Sequence, residues 1–155
     1  MKSLELGQSI SILANFGVLV GILLLIFELS QNRQMMQAQT RNELSQSIVT
    51  QFFAGAADEN LADLVLRGHT GQLQSEVDEL RYFWWFVARF RYWENVHYQY
   101  RLGLYDENEY TAQFSAFAAG FRRAGMRKFW DQNKSTFSPE FVAAVDGALG
   151  QQAAE

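Results

Sequence analysis

An all-α protein is what this sequence predicts: an N-terminal transmembrane helix, a helical neck continuing from it, and then a small antiparallel helical bundle. Three observations carry that prediction. An uncharged apolar run lies near the start, apolar residues afterwards recur at spacings of three and four, and no segment alternates apolar and polar residues as a half-buried strand would. The expected divisions are an anchor over 1–30, a neck over 31–57 and a helical domain over 58–155.

From Ile10 to Phe27 no residue is charged, and only Ser11 and Asn15 are strongly polar. A helix of that length is roughly 27 Å long, close to the hydrocarbon thickness of a bilayer. Lys2 and Glu5 precede the run, and Glu28 and Arg33 follow it. A cleaved signal peptide needs small residues at its cleavage site, and Phe27 to Asn32 offers no such pair. A buried soluble helix would not be apolar on every face. Ala14, Gly17 and Gly21 share one face, where small residues let two helix backbones approach in lipid. Asn15 would seek a partner rather than hydrocarbon, so these four residues are the expected helix–helix contact within the membrane. Positive charge is nearly balanced across the run, with Lys2 before it and Arg33 and Arg41 after it. The expectation is a single-pass protein of a cell inner membrane with a cytoplasmic helical domain.

No proline interrupts Glu28 to Thr50, which is rich in Gln, Asn, Ser and Met and reads as the helical neck. Leu44, Ile48 and Phe52 begin an apolar stripe, which Gly55 and Asp58-Glu59-Asn60 are expected to interrupt. Leu61 to Arg67 reads as a short helix ended by Gly68. Ser75 with Asp78 resembles a capping box and predicts a helix from about Glu76 to Leu102, ended by Gly103. Ten aromatics between Tyr82 and Tyr100 surround that helix, which predicts a central element covered on most sides. Arg89 and Arg91 exclude it as a second span. Asp106 is a plausible cap for a helix from Glu107 to about Gly120 or Ala124, with Tyr110, Phe114, Phe117 and Phe121 on one face. Gly125 predicts a break before a short helix over Met126–Asn133. Ser138-Pro139-Glu140 predicts a last helix reaching about Leu149 and then a frayed tail.

The chain has 155 residues, a net charge of -4, two histidines and no cysteine. That length suits one domain plus an anchor. Without cysteine there are no disulfides, thiolate metal sites or thiol nucleophiles, and either side of a membrane is open to such a chain. The mildly acidic balance argues against nucleic acid as a partner.

Glu94 and His97 have the Glu-x-x-His spacing, which puts a carboxylate and an imidazole on one helix face. Di-iron bundles use that pair twice with further glutamates, and here it occurs once. No metal or other cofactor is therefore expected, and Glu94, Arg91, His97 and Arg101 are read instead as a buried polar network. A buried carboxylate needs a cation or several donors, which Arg91, Arg101, Arg122 or Arg123 would supply. Arg122, Arg123, Arg127 and Lys128 form the one basic cluster, among Phe121, Phe129 and Trp130. Such a cluster is ordinarily a solvated face, with anionic lipid headgroups as the alternative partner. Trp84 and Trp85 are expected in the core, with a membrane interface as their alternative. No phosphate-binding glycine loop, nucleophile elbow or paired-histidine motif is present, and no catalytic residue is assigned.

Leu29-Ser30-Gln31-Asn32-Arg33, the Trp93–Tyr100 segment with Gly103-Leu104, and Phe137–Phe141 with Val145-Asp146 resemble a group of small uncharacterised bacterial membrane proteins. The resemblance spans nearly the whole chain. It implies a bacterial single-pass protein with a helical domain, and no activity. The function expected is a non-enzymatic membrane-anchored interaction module, a homo-oligomer or a subunit beside other membrane proteins. An oligomeric pore lined by the single span is one alternative. A ligand- or metal-binding bundle using Glu94 and His97 is the other.

Overall fold

The structure is a computed structural model that describes the backbone of residues 2–152 and the side chains of residues 11–151. The side chains of Lys2, Glu5 and Ile10 and the tail after Gln152 lie outside the described residues. Among the described residues there is no strand. Six α-helices follow in order: α1 (Lys2–Ala57), α2 (Glu59–His69), α3 (Glu76–Arg101), α4 (Glu107–Ala119), α5 (Ala124–Asn133) and α6 (Pro139–Gln152).

Side-chain oxygens set several of these starts. The Asp58 carboxylate accepts the backbone N–H groups of Asn60 and Leu61, so the acidic cluster that reads as a breaker is the cap of α2. Ser75 Oγ accepts the Asp78 N–H at 3.1 Å, and Asp106 accepts from Asn108 and Glu109. At the other end of α3, Gly103 takes φ +69°, and Leu104 N–H closes on the Gln99 carbonyl at 2.9 Å. That left-handed residue satisfies carbonyls the helix would otherwise leave open.

Three glycines depart from the roles predicted for them. Helix α1 runs through Gly55 to Ala57, and Gly68 lies inside the last turn of α2, whose chain reversal is made by Gly71 at φ +73°. Gly125 lies within α5 rather than ahead of it, because the extended residue there is Arg123. The reason for Gly68 and Gly125 is space. A methyl group on Gly68 would collide with the Tyr82 ring, and one on Gly125 would stand 2.5 Å from the Gly68 carbonyl oxygen. Two bare backbones let α2 and α5 meet over that ring.

The chain divides into two compact units, Met1–Gln39 and Thr40–Glu155. In the first, the large apolar side chains from Ile12 to Phe27 are all between 39% and 74% exposed. This helix is long and apolar enough to cross a membrane. Nothing stands within 4 Å of where a Cβ would lie on Gly17 or Gly21, so the small-residue face is open.

The second unit is built on α3, which packs against α2, α4, α5 and α6. Tyr82, Phe86, Phe90, Trp93, Val96 and His97 recur at spacings of three and four and are buried together. Phe90 is the hub, with ring centroids of Phe86, Phe117, Phe121, Phe129, Trp130 and Phe137 all within 6 Å. Burying one such ring contributes about 1.5–3 kcal/mol. Leu44 of α1 joins this core and Ile48 packs against it. Phe52 instead stays exposed beside the Arg89 guanidinium.

The expectation that α3 is covered on most sides is corrected. Val77, Leu80, Trp84 and Tyr98 recur on its other face and are exposed, Trp84 at 59%. One face is enough to seat the neighbours of α3, so the all-round aromatic pattern overstates its burial. Trp85 is half-buried, stacked on Tyr82.

Candidate functional site

The Glu-x-x-His turn on α3 serves two separate contacts. Glu94 accepts from Arg91 Nη1 at 2.6 Å through one oxygen and from the Ser138 backbone N–H at 2.6 Å through the other. Its carboxylate therefore sits at the start of α6, where free N–H groups and the helix dipole favour negative charge. Arg91 also donates to the Thr136 carbonyl and lies 4.6 Å from the Phe137 ring centroid. Burial pushes the Glu94 carboxyl up. The Ser138 N–H, the Arg91 guanidinium and the Ser138 hydroxyl outweigh it and hold the group below the usual carboxylate range.

His97, 8% exposed, places Nδ1 2.7 Å from the Tyr110 hydroxyl oxygen. Burial, with Arg101 nearby, lowers its pKa. Arg101 itself reaches Glu140 at 3.4 Å. Glu94 pairs with Arg91, while His97 and Arg101 both interact with Glu140, and only His97 among the four is buried. The spacing that suggests a metal ligand pair is used for packing: Glu94 ties α3 to α6, and His97 ties α3 to α4. Among the described residues no group of three metal-ligating side chains converges.

The second histidine is more deeply engaged than its loop-like sequence suggests. His69 Nδ1 lies 2.9 Å from the Tyr82 hydroxyl, and its ring meets those of Tyr82, Trp85 and Phe86. Burial, then the positive charges of Arg123 and Arg89, bring its pKa down to about 4.

Arg122, Arg123, Arg127 and Lys128 are all exposed around the start of α5. Among the described residues none of them forms an ion pair. Asp63 of α2, Asp78 of α3 and Asp146 of α6 are turned to other cations. Arg67 bridges Asp63 and Asp78, each at 2.7 Å, and Lys134 takes Asp146 at 2.9 Å. Asp146 also accepts the Trp130 indole N–H at 2.8 Å, a role that the sequence does not announce. By contrast the buried Trp93 indole nitrogen finds no partner.

The sequence also gives no notice of a cleft of about 640 Å³ formed by the end of α2, the first turns of α3 and α5. Its floor is the aromatic core itself. Tyr82 meets Phe86 edge-on at 4.7 Å, and Phe86 stacks on Phe129 at 5.0 Å. Leu73, Leu80 and Phe83 line it, and Glu76, Glu79, Lys128, Gln132 and Asn133 supply its polar groups. Residues 68 to 133 must come together to form it, and no local spacing encodes that.

Of the residues expected to form a helix–helix contact, Ala14, Asn15 and Gly17 are exposed and Gly21 is half-buried. Ala14, Gly17 and Gly21 lie on one face of the helix, and Asn15 lies about 100° round from Ala14. Comparison of the chain with protein-family models, with curated proteins and with solved structures found no match.

Proposed function

We propose that this protein is a membrane-anchored helical interaction module, either self-associating or a small subunit of a larger membrane complex, with no catalytic role. One observation carries the reading: the aliphatic side chains of Ile12 to Phe27 are uncovered along the whole run. A core helix of a soluble protein would be buried over such a run, whereas lipid is the solvent that suits an uncovered one. The lack of a small-residue pair at Phe27–Asn32 supports an uncleaved anchor over a signal peptide. The anchor lies in a cell inner membrane, in a single pass, with the helical domain on the cytoplasmic side. There the unpaired Arg122, Arg123, Arg127 and Lys128 meet anionic headgroups.

The association part rests on Ala14, Gly17 and Gly21, whose open face allows a second helix to approach closely in lipid, and on Asn15, whose amide seeks a hydrogen-bonding partner there. The test is the mass of the complex extracted gently from its own membrane, with its components identified. The reading requires a mass above that of one chain, and a lower mass for Gly17→Leu combined with Gly21→Leu. A strict monomer with no co-purifying chain overturns it.

A further inference from the structure

The cleft in the Thr40–Glu155 unit has two carboxylates and one ammonium among its lining side chains. We propose that it binds a small organic cation with an apolar body, of the arylalkyl-ammonium kind. Its volume, about 640 Å³, is that of a site for a small organic molecule. Tyr82, Phe86 and Phe129 form a floor that is already packed in the core, so the site is preformed and binding orders little. Phe83, 36% exposed, is the ring most open to a ligand at the wall, since Tyr82, Phe86 and Phe129 are nearly covered. Aromatic faces attract a cation through their quadrupoles, most strongly where water is excluded.

The charges agree with that preference. Glu76 and Glu79 stand one turn apart on α3 at the cleft, and neither is ion-paired among the described residues. Lys128 is the one cationic side chain among the lining residues. Among the lining side chains two carboxylates stand against one ammonium over an apolar floor, with Arg123 acting on Tyr82 from outside the lining; that balance suits an ammonium head on an apolar body better than a carboxylate. The inference goes beyond the anchored interaction module. It uses no residue of the apolar helix, so the failure of one reading leaves the other standing.

The test is equilibrium dialysis with the full chain in dodecyl maltoside micelles, against empty micelles, with naphthylmethyl-trimethylammonium and naphthylacetate as probes of opposite charge. The cation binds, and the anion binds at least about tenfold more weakly. Glu76→Gln combined with Glu79→Gln weakens the cation about fivefold to tenfold and leaves the melting temperature near that of the parent, since both side chains are exposed. Lys128→Gln retains or tightens cation binding. Competition by dihexanoyl-phosphatidylcholine as strong as that by hexyltrimethylammonium assigns the cation to a choline lipid headgroup, and competition by hexyltrimethylammonium alone assigns it to a free amine. Equal binding of the two probes, no cation binding up to its solubility limit, or parental affinity in the double glutamine variant overturns the proposal.

Discussion

The two units of this chain are both apolar, and they use apolar residues in opposite ways. In Met1–Gln39 the apolar content is aliphatic, and the side chains described there remain uncovered. Of the 23 aromatic residues, only Phe16 and Phe27 fall in that unit. In Thr40–Glu155 the buried core is largely aromatic, and the rings bury one another around Phe90. The difference is the one expected if the first unit is the proposed lipid anchor. Leu, Ile and Val match lipid tails and need no precise partner, whereas a domain of about this size gains most from few large side chains that interlock. A mean hydropathy near zero for the whole chain hides both facts.

If the comparison is right, the two units respond to different injuries. The largest effect is expected from charge in the apolar helix. Leu19→Arg with Leu23→Arg puts two cations where each costs about 2.5–3.5 kcal/mol in hydrocarbon. The variant leaves the carbonate-resistant membrane fraction, and its retention there would break the comparison at its first term. Next comes Phe90→Ala, which removes the hub ring and lowers stability by about 3–5 kcal/mol. Its thermal unfolding moves far down while membrane retention is unchanged. A melt that stays near the parent's removes Phe90 from its central place.

What could be read without coordinates was what local chemistry determines. The caps at Ser75 and Asp106, the stop at Gly103 and the Tyr110–Phe121 stripe need only neighbours within a turn or two. The glycines show why the rest was hidden. A glycine that ends a helix and one that lets another helix approach look alike in sequence, so Gly68 and Gly125 read as punctuation although they are contact points. Trp84 is exposed although its sequence suggests the core, because a helix with rings on every side carries no phase information. The cleft and the reach of Glu94 to Ser138, 44 positions away, depend on packing alone.

Glu94 tests whether a charge within the aromatic unit is structural. Glu94→Ala leaves the Ser138 N–H and Arg91 without their acceptor and is expected to cost about 1–3 kcal/mol. Glu94→Gln recovers part of that, because an amide oxygen still accepts the Ser138 N–H. Since the folded carboxyl is held below its usual range, this contribution is full at neutral pH and is lost as pH falls through the carboxylate range. An unchanged melting temperature in Glu94→Ala removes its structural role.

The smallest effect separates the two units by pH. His69 belongs to the aromatic unit, and its pKa is brought down from 6.5 to about 4, by burial first and by Arg123 and Arg89 after it. Between those values the unfolded chain binds the proton and the folded one does not, so protonation favours unfolding. Stability from this group is therefore complete above pH 6.5, declines as pH falls toward 4, and falls no further below that. Burial lowers the pKa of His97 in the same direction, so it adds to the decline. In His69→Gln the fall in denaturant midpoint between pH 7 and pH 4.5 should shrink relative to the parent. An equal fall in both proteins assigns the pH response elsewhere. Membrane retention should be the same at both pH values, because the apolar run contains nothing that titrates.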